Sequence, residues 1–160
     1  MVAFTGHRPE KLPWGQDESD PRCIALKQRI CDEIYREAET GEHDFACGMA
    51  RGCDLYFAEA VLQAKRCFPH IRLYAYLPCQ SQPDRWPSRE QSRYRGILAE
   101  CDGVILIQED YTPDCMLRRN RSMVDDAAVL MSVWDGTRGG TGAAVGYARR
   151  QGKRLIPLWL

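Results

Sequence analysis

The sequence has no apolar run near the roughly 20 residues that a bilayer-spanning helix needs. Its first residues, Met1-Val2-Ala3-Phe4-Thr5-Gly6, carry neither the basic region nor the long apolar core of a secretory signal. The expectation is a cytoplasmic protein with no membrane partner. A surplus of either charge is also missing: Lys+Arg and Asp+Glu both number 22. That balance argues against a protein that coats nucleic acid through bulk charge, although a local basic patch is allowed. Lysine is scarce, with 4 against 18 arginines, and arginine offers a planar fork that grips phosphate or carboxylate at two points. The eight cysteines (Cys23, Cys31, Cys47, Cys53, Cys67, Cys79, Cys101 and Cys115) include no C-x-x-C pair, so zinc and iron–sulfur spacing is lacking. Without an export signal they read as small apolar residues, not as a disulfide framework. No pattern assigns a metal or a cofactor.

What is present is ordinary globular composition, 44% hydrophobic and 28% charged over 160 residues. One domain spanning 1–160 accommodates it. Short apolar runs at 2–5, 44–47, 71–77, 103–107, 127–133 and 155–160 read as strands. The run at 103–107 is continuous, as in a strand covered on both faces. Helical patterns lie between them. Asp20 and Pro21 open the first, Cys23, Leu26, Ile30 and Ile34 recur at its inner spacing, and Gly41 closes it. Asp54 is placed to cap the second, and Tyr94, Ile97, Leu98 and Cys101 stripe the third. A helix or turn runs from 112 or 113 to about 124, and a last helix ends near 151. Strands alternating with helices predict an α/β fold: a mostly parallel, Rossmann-like sheet of about six strands with helices on both faces.

In such sheets ligands bind beyond the carboxyl ends of the strands, and three unusual segments fall there. Gly6-His7-Arg8-Pro9 follows the first strand and offers donors to phosphate or carboxylate. Gly48-Met49-Ala50-Arg51-Gly52-Cys53-Asp54 follows the second, where free N–H groups at a helix start attract anions. Asp54 either occupies those donors or accepts from a ribose hydroxyl. Asp135-Gly136-Thr137-Arg138-Gly139-Gly140-Thr141-Gly142 follows the fifth and reads as a phosphate cradle. It matches neither G-x-x-x-x-G-K-[ST] nor G-x-G-x-x-G. Arg118-Arg119-Asn120-Arg121 adds positive charge before the fifth strand, with Arg121 expected to neutralise phosphate. Trp86 is read either as a base-stacking residue or as a seal on the core.

Together, Gly6-His7-Arg8-Pro9, Arg51-Gly52-x-Asp54, Arg119-Asn120-Arg121-x-Met123-Val124-Asp125 and Gly139-Gly140-Thr141 resemble the YpsA-like (DUF1273) group of the SLOG superfamily, Rossmann-like nucleotide-binding proteins. The resemblance covers essentially the whole chain. It implies binding of AMP or an ADP-ribose-like ligand. The site residues it implies are Gly6, His7 and Arg8; Gly48, Met49, Ala50, Gly52 and Asp54; Arg119, Asn120 and Arg121; and Asp135, Gly136, Thr137, Gly139, Gly140 and Thr141. It also implies a homodimer. Two relatives imply alternatives. LOG phosphoribohydrolases cleave nucleoside monophosphates with the motif P-G-G-x-G-T-x-x-E, whose final Glu is missing here. DprA proteins bind single-stranded DNA and carry G-x-A-R-G-x-D, which Gly48 to Asp54 matches.

Overall fold

A computed structural model describes residues 1–159. Six strands, β1 (Val2–Gly6), β2 (Asp44–Cys47), β3 (Arg72–Leu77), β4 (Gly103–Leu106), β5 (Val129–Val133) and β6 (Arg154–Pro157), form one all-parallel sheet in the order β4-β3-β2-β1-β5-β6. Five helices connect them: α1 (Pro21–Glu39), α2 (Cys53–Ala64), α3 (Ser88–Glu100), α4 (Cys115–Asp126) and α5 (Gly140–Arg150). The chain steps outward from β1 to β4, then returns to lay β5 against the other side of β1. The strand order reverses there, and the connections leaving β1 and β5 part to opposite faces, opening a crevice above their ends. Among the described residues no helix is long and apolar enough to cross a membrane.

The helices divide into two layers. One core joins α1, α2 and α3 to the sheet through residues such as Leu26, Ile30, Phe57 and Ile97. The other joins α4 and α5 through Met123, Val124, Val145 and Ala148. α1 begins where its local chemistry places it: Asp20 accepts from the Arg22 N–H at 2.8 Å and Pro21 occupies the first turn. Cys23, Leu26, Ile30 and Ile34 are fully buried, and Gly41 at φ 99° turns the chain out. All eight cysteines are free, five of them buried. Burial pushes the Cys47 and Cys53 thiols well above their ordinary range.

Two expectations change. The run expected to form a strand covered on both faces is β4, an edge strand paired only with β3, and it leaves Val104 50% and Leu106 38% exposed. An apolar run is common to buried central strands and to edges, and only the strand order tells them apart. The last strand begins at Arg154 and ends at Pro157; Leu160 lies outside the described residues.

Candidate functional site

A cavity of about 410 Å³ opens where β1 and β5 diverge, floored by Phe4, Thr5, Ala50 and Asp54. β1 delivers His7 and Arg8 to its rim. Past them the chain makes a single 3-10 turn, Pro9–Lys11, which brings Glu10 and Lys11 to the mouth. Gly52, at φ 84°, lets the start of α2 lie against this segment. The Cys53 N–H donates to the His7 carbonyl at 3.2 Å, and a Cβ on Gly52 would stand 2.8 Å from that carbonyl oxygen.

Arg119 enters from α4. It belongs to the buried stripe of that helix, with Cys115 and Met123 one turn away on either side. Its guanidinium donates to the Gly48 and Tyr76 carbonyls, to Asn120 Oδ1 at 2.7 Å, and leans on Met116 Sδ at 3.8 Å. Gly48 has no side chain because that guanidinium fills the space a Cβ would need. Met49 follows at φ 55°, an uncommon conformation for a residue with a side chain, and its thioether is fully buried. The turn therefore supplies backbone to the site and the Met49 side chain to the core.

Asp54 lies within the first turn of α2, with Gly52 as its N-cap residue. The expected capping role is therefore not the one it takes. Its Oδ2 accepts from the Ala50 N–H at 3.2 Å, and no side chain among the described residues donates to it. Burial raises its carboxyl above the ordinary carboxylate range, opposed by the positive charge of Arg119. Arg119 is pushed down by the same desolvation.

On the β5 side, α5 begins at Gly140 with no side chain capping it. Gly139, Gly140 and Thr141 line the cavity, so the first-turn N–H groups and the positive end of the helix face it. Asp135 takes a supporting place. Its carboxylate meets His7 Nε2 at 2.7 Å and accepts from Thr137 through the backbone N–H and the hydroxyl. Thr137 first and then His7 hold it far below the usual carboxylate range. Asp135, Gly136 and Thr137 thus form a turn that orients a buried histidine, and Asp135 does not line the cavity.

Among the described residues, none of Arg8, Lys11 and Arg119 makes an ion pair, whereas Glu10 is held by Arg51 at 2.8 Å. Arg8 touches only Met116 Sδ at 3.8 Å, and Lys11 donates to the Arg138 carbonyl at 2.6 Å.

Ten of the residues expected at a site line this cavity: Gly6, His7, Arg8, Ala50 and Asp54, with Arg119, Asn120, Gly139, Gly140 and Thr141. Gly48, Met49, Gly52, Asp135, Gly136 and Thr137 support its walls. Arg121 does not join them. It lies on the outer side of α4, its guanidinium 5.6 Å from the Tyr147 ring centre, beside a separate groove. Trp86 packs edge-on against Tyr94 at 5.3 Å, at the core. Lys11, Glu10, Thr5 and Met116 were not anticipated. Lys11 carried one signal, as one of only four lysines and five residues past the first strand.

Fold and cavity define a Rossmann-like α/β fold with a cavity at the strand-order switch. The chain belongs to the YspA SLOG family, whose model (YpsA) matches residues 2–153. It is 26% identical over 145 residues to the SPbeta prophage-derived protein YoqJ of Bacillus subtilis, covering 82% of this chain and 84% of that protein. It is 25% identical over 138 residues to a UPF0398 protein of Bacillus pumilus, covering 84% and 73%. Among solved structures it is similar to DNA processing protein A of Helicobacter pylori, described for its single-stranded DNA binding mode, with TM-score 0.67, 19% identity and 98% of this chain covered. The protein of the same name from Streptococcus pneumoniae gives TM-score 0.65, 16% identity and the same coverage. The chain spans 63% and 49% of those two structures, and at these identities the likeness is one of fold.

Proposed function

We propose that the cavity binds a small phosphorylated nucleotide or nucleotide-derived ligand, of the AMP or ADP-ribose type. One observation carries the reading: Arg8 and Lys11 without carboxylate partners, an uncapped helix N-terminus and a buried carboxylate all meet in one cavity. Cations and helix N–H groups ask for an anion. Asp54 asks for a donor, which a ribose hydroxyl provides. A sugar phosphate unites the two, and 410 Å³ lies within the range of small-ligand sites.

The test is a thermal-shift panel of AMP, ADP-ribose, ribose 5-phosphate and a short single-stranded oligonucleotide, run beside Gly140→Asp. A ligand at about 100 times its Kd stabilises by roughly 2.7 kcal/mol, or about 5–10 °C for a domain this size. A shift with a nucleotide that the variant abolishes supports the reading. No shift with any nucleotide overturns it. A shift with the oligonucleotide alone, falling steeply with salt, replaces it with strand binding.

Asp54 favours one further reading, N-glycosidic cleavage. Its raised carboxyl can hold a proton beside the ligand and give it to the departing base. The C1′–N bond then breaks with its electrons on the base, and a water oxygen adds to C1′ as the water's proton passes to the Asp54 carboxylate. Release of free base from AMP, lost in Asp54→Asn at AMP concentrations that saturate the variant, is the result this reading requires.

A further inference from the structure

The two cations at the mouth do not share one place. Lys11 Nζ holds the Arg138 carbonyl, just before the first turn of α5. Arg8 leans the other way, toward α4, where its Nη2 and Arg119 Nη2 each approach Met116 Sδ at 3.8 Å. The cavity therefore has two positive poles: Lys11 with the uncapped N–H groups of α5, and Arg8 with Arg119 beside α4. Among the described residues the hydrogen-bond partners of these two cations are neutral, a carbonyl at Lys11 and a thioether at Arg8. An anionic acceptor adds the attraction of a full opposite charge, so an anion displaces both. Glu10, engaged by Arg51, and the buried Asp54 offset part of the Arg8 charge, but neither forms an ion pair with Arg8 or Lys11. One phosphoryl group fills one pole. Two phosphoryl groups joined through a shared oxygen fill both.

We propose that the cavity takes a diphosphate, one phosphoryl group on the first turn of α5 beside Lys11 and its neighbour against Arg8 at the α4 side, so that the ligand is a nucleoside diphosphate or its sugar ester and not a nucleoside monophosphate. This rests on the nucleotide reading above and narrows it. Lys11 acts with the helix terminus and Arg8 acts with Arg119, so losing either side chain removes the advantage of the second phosphate.

The experiment is calorimetric titration of the whole chain, and of Arg8→Ala and Lys11→Ala, with AMP, ADP, ADP-ribose, inorganic phosphate and pyrophosphate. Both side chains are exposed, so the variants keep the wild-type unfolding midpoint, checked by thermal unfolding. The expected result is that ADP and ADP-ribose bind at least about tenfold more tightly than AMP, and pyrophosphate more tightly than phosphate, since one charge-assisted contact is worth about tenfold. Arg8→Ala then weakens ADP by about tenfold and leaves AMP within about twofold. Equal affinity for AMP and ADP, or an Arg8→Ala variant that loses both alike, overturns the diphosphate assignment and leaves the nucleotide reading standing. Binding of none of the five overturns both.

Discussion

The cavity has a larger neighbour on the other side of the Pro9 and Gly52 turns. That cleft, about 770 Å³, is lined by Glu18, Arg51, Tyr56, Glu59, Glu90 and Arg93 among others. It holds more charge than the cavity, but most of that charge is matched by an opposite partner, Asp17 and Arg89 excepted. Arg93 donates to both oxygens of Glu18 and both of Glu59, at 2.6–3.0 Å, and lies 3.6 Å from Glu90. Lys27 adds a second pair to Glu18 and sits 4.7 Å from the Tyr56 ring centre, with Arg93 at 5.6 Å. Burial would raise the Glu18 carboxyl, yet hydrogen bonds from Arg93 and Lys27 outweigh it and hold the group below its ordinary value. The difference teaches that neither volume nor charge count marks a binding site. The larger cleft ties its central arginine to three carboxylates, whereas the smaller one leaves two cations and a helix end unmatched in one place.

Breaking each region in turn sharpens that contrast, and the largest effect is expected where a matched charge is most buried. Arg119→Ala removes the donors to the Gly48 and Tyr76 carbonyls and leaves the Asp54 carboxylate without its cation. Leaving those buried carbonyls unpartnered costs about 1–3 kcal/mol each. Denaturant unfolding measures it, and Arg119→Lys should rescue little, because a point charge cannot serve three acceptors in one plane. Arg93→Ala should cost less, roughly 1–2 kcal/mol, as several partly screened pairs are lost together. Its ligand affinity should stay unchanged. Arg8→Ala should show the reverse, with stability held and ADP bound about tenfold more weakly. If the two variants weaken binding alike, the contrast between the regions fails.

Asp54→Asn is expected to stabilise. The folded carboxyl sits above its ordinary value with the Arg119 attraction already included in that balance, so ionising it disfavours the fold. The stabilising contribution of the protonated group is complete below its unfolded pKa of about 4, and is lost as pH rises through the folded value. The amide removes the penalty while keeping an oxygen for the Ala50 N–H. The variant should therefore match the wild type near pH 4 and be the more stable of the two at neutral pH. Unfolding midpoints across pH 4–8 test this, and a variant less stable at pH 7 contradicts it. In a titration with AMP the same variant should bind more weakly, because the ribose hydroxyl loses an ionic acceptor.

How much of this could be read from residues alone depended on how local each cause is. α1 was legible because its cap, its buried stripe and its terminal glycine sit within one segment. The exposure of β4 was not, because a strand's place in the sheet is decided by its neighbours. At the site, the glycine turns located the cavity, but adjacent residues in α4 exchanged roles. Arg119 points inward and Arg121 outward, and charge alone does not separate them. The i, i+4 stripe of Cys115, Arg119 and Met123 does, since an arginine on an apolar face must have buried acceptors. Asp135 looked like a ligand contact because its commitment to His7 spans 128 residues of sequence.

The smallest expected change carries the cleanest sign. α1 and α5 are the two ends of one design choice: Asp20 caps α1 with a carboxylate, and α5 begins with Gly139-Gly140 and no cap. Placing a carboxylate at Gly140 gives α5 what α1 has. Nothing lies within 4 Å of a Cβ there, and its φ is not in the left-handed region. A negative charge in the first turn should add about 0.3–1 kcal/mol through the helix dipole. The same charge occupies the N–H groups and repels a phosphate, so Gly140→Asp should melt slightly higher and bind nucleotide far more weakly. Opposite signs in melting and calorimetry mean that the bare helix end is kept at some loss of stability for an anion. A variant that melts higher and still binds places the phosphate elsewhere in the cavity, with Arg8 and Arg119.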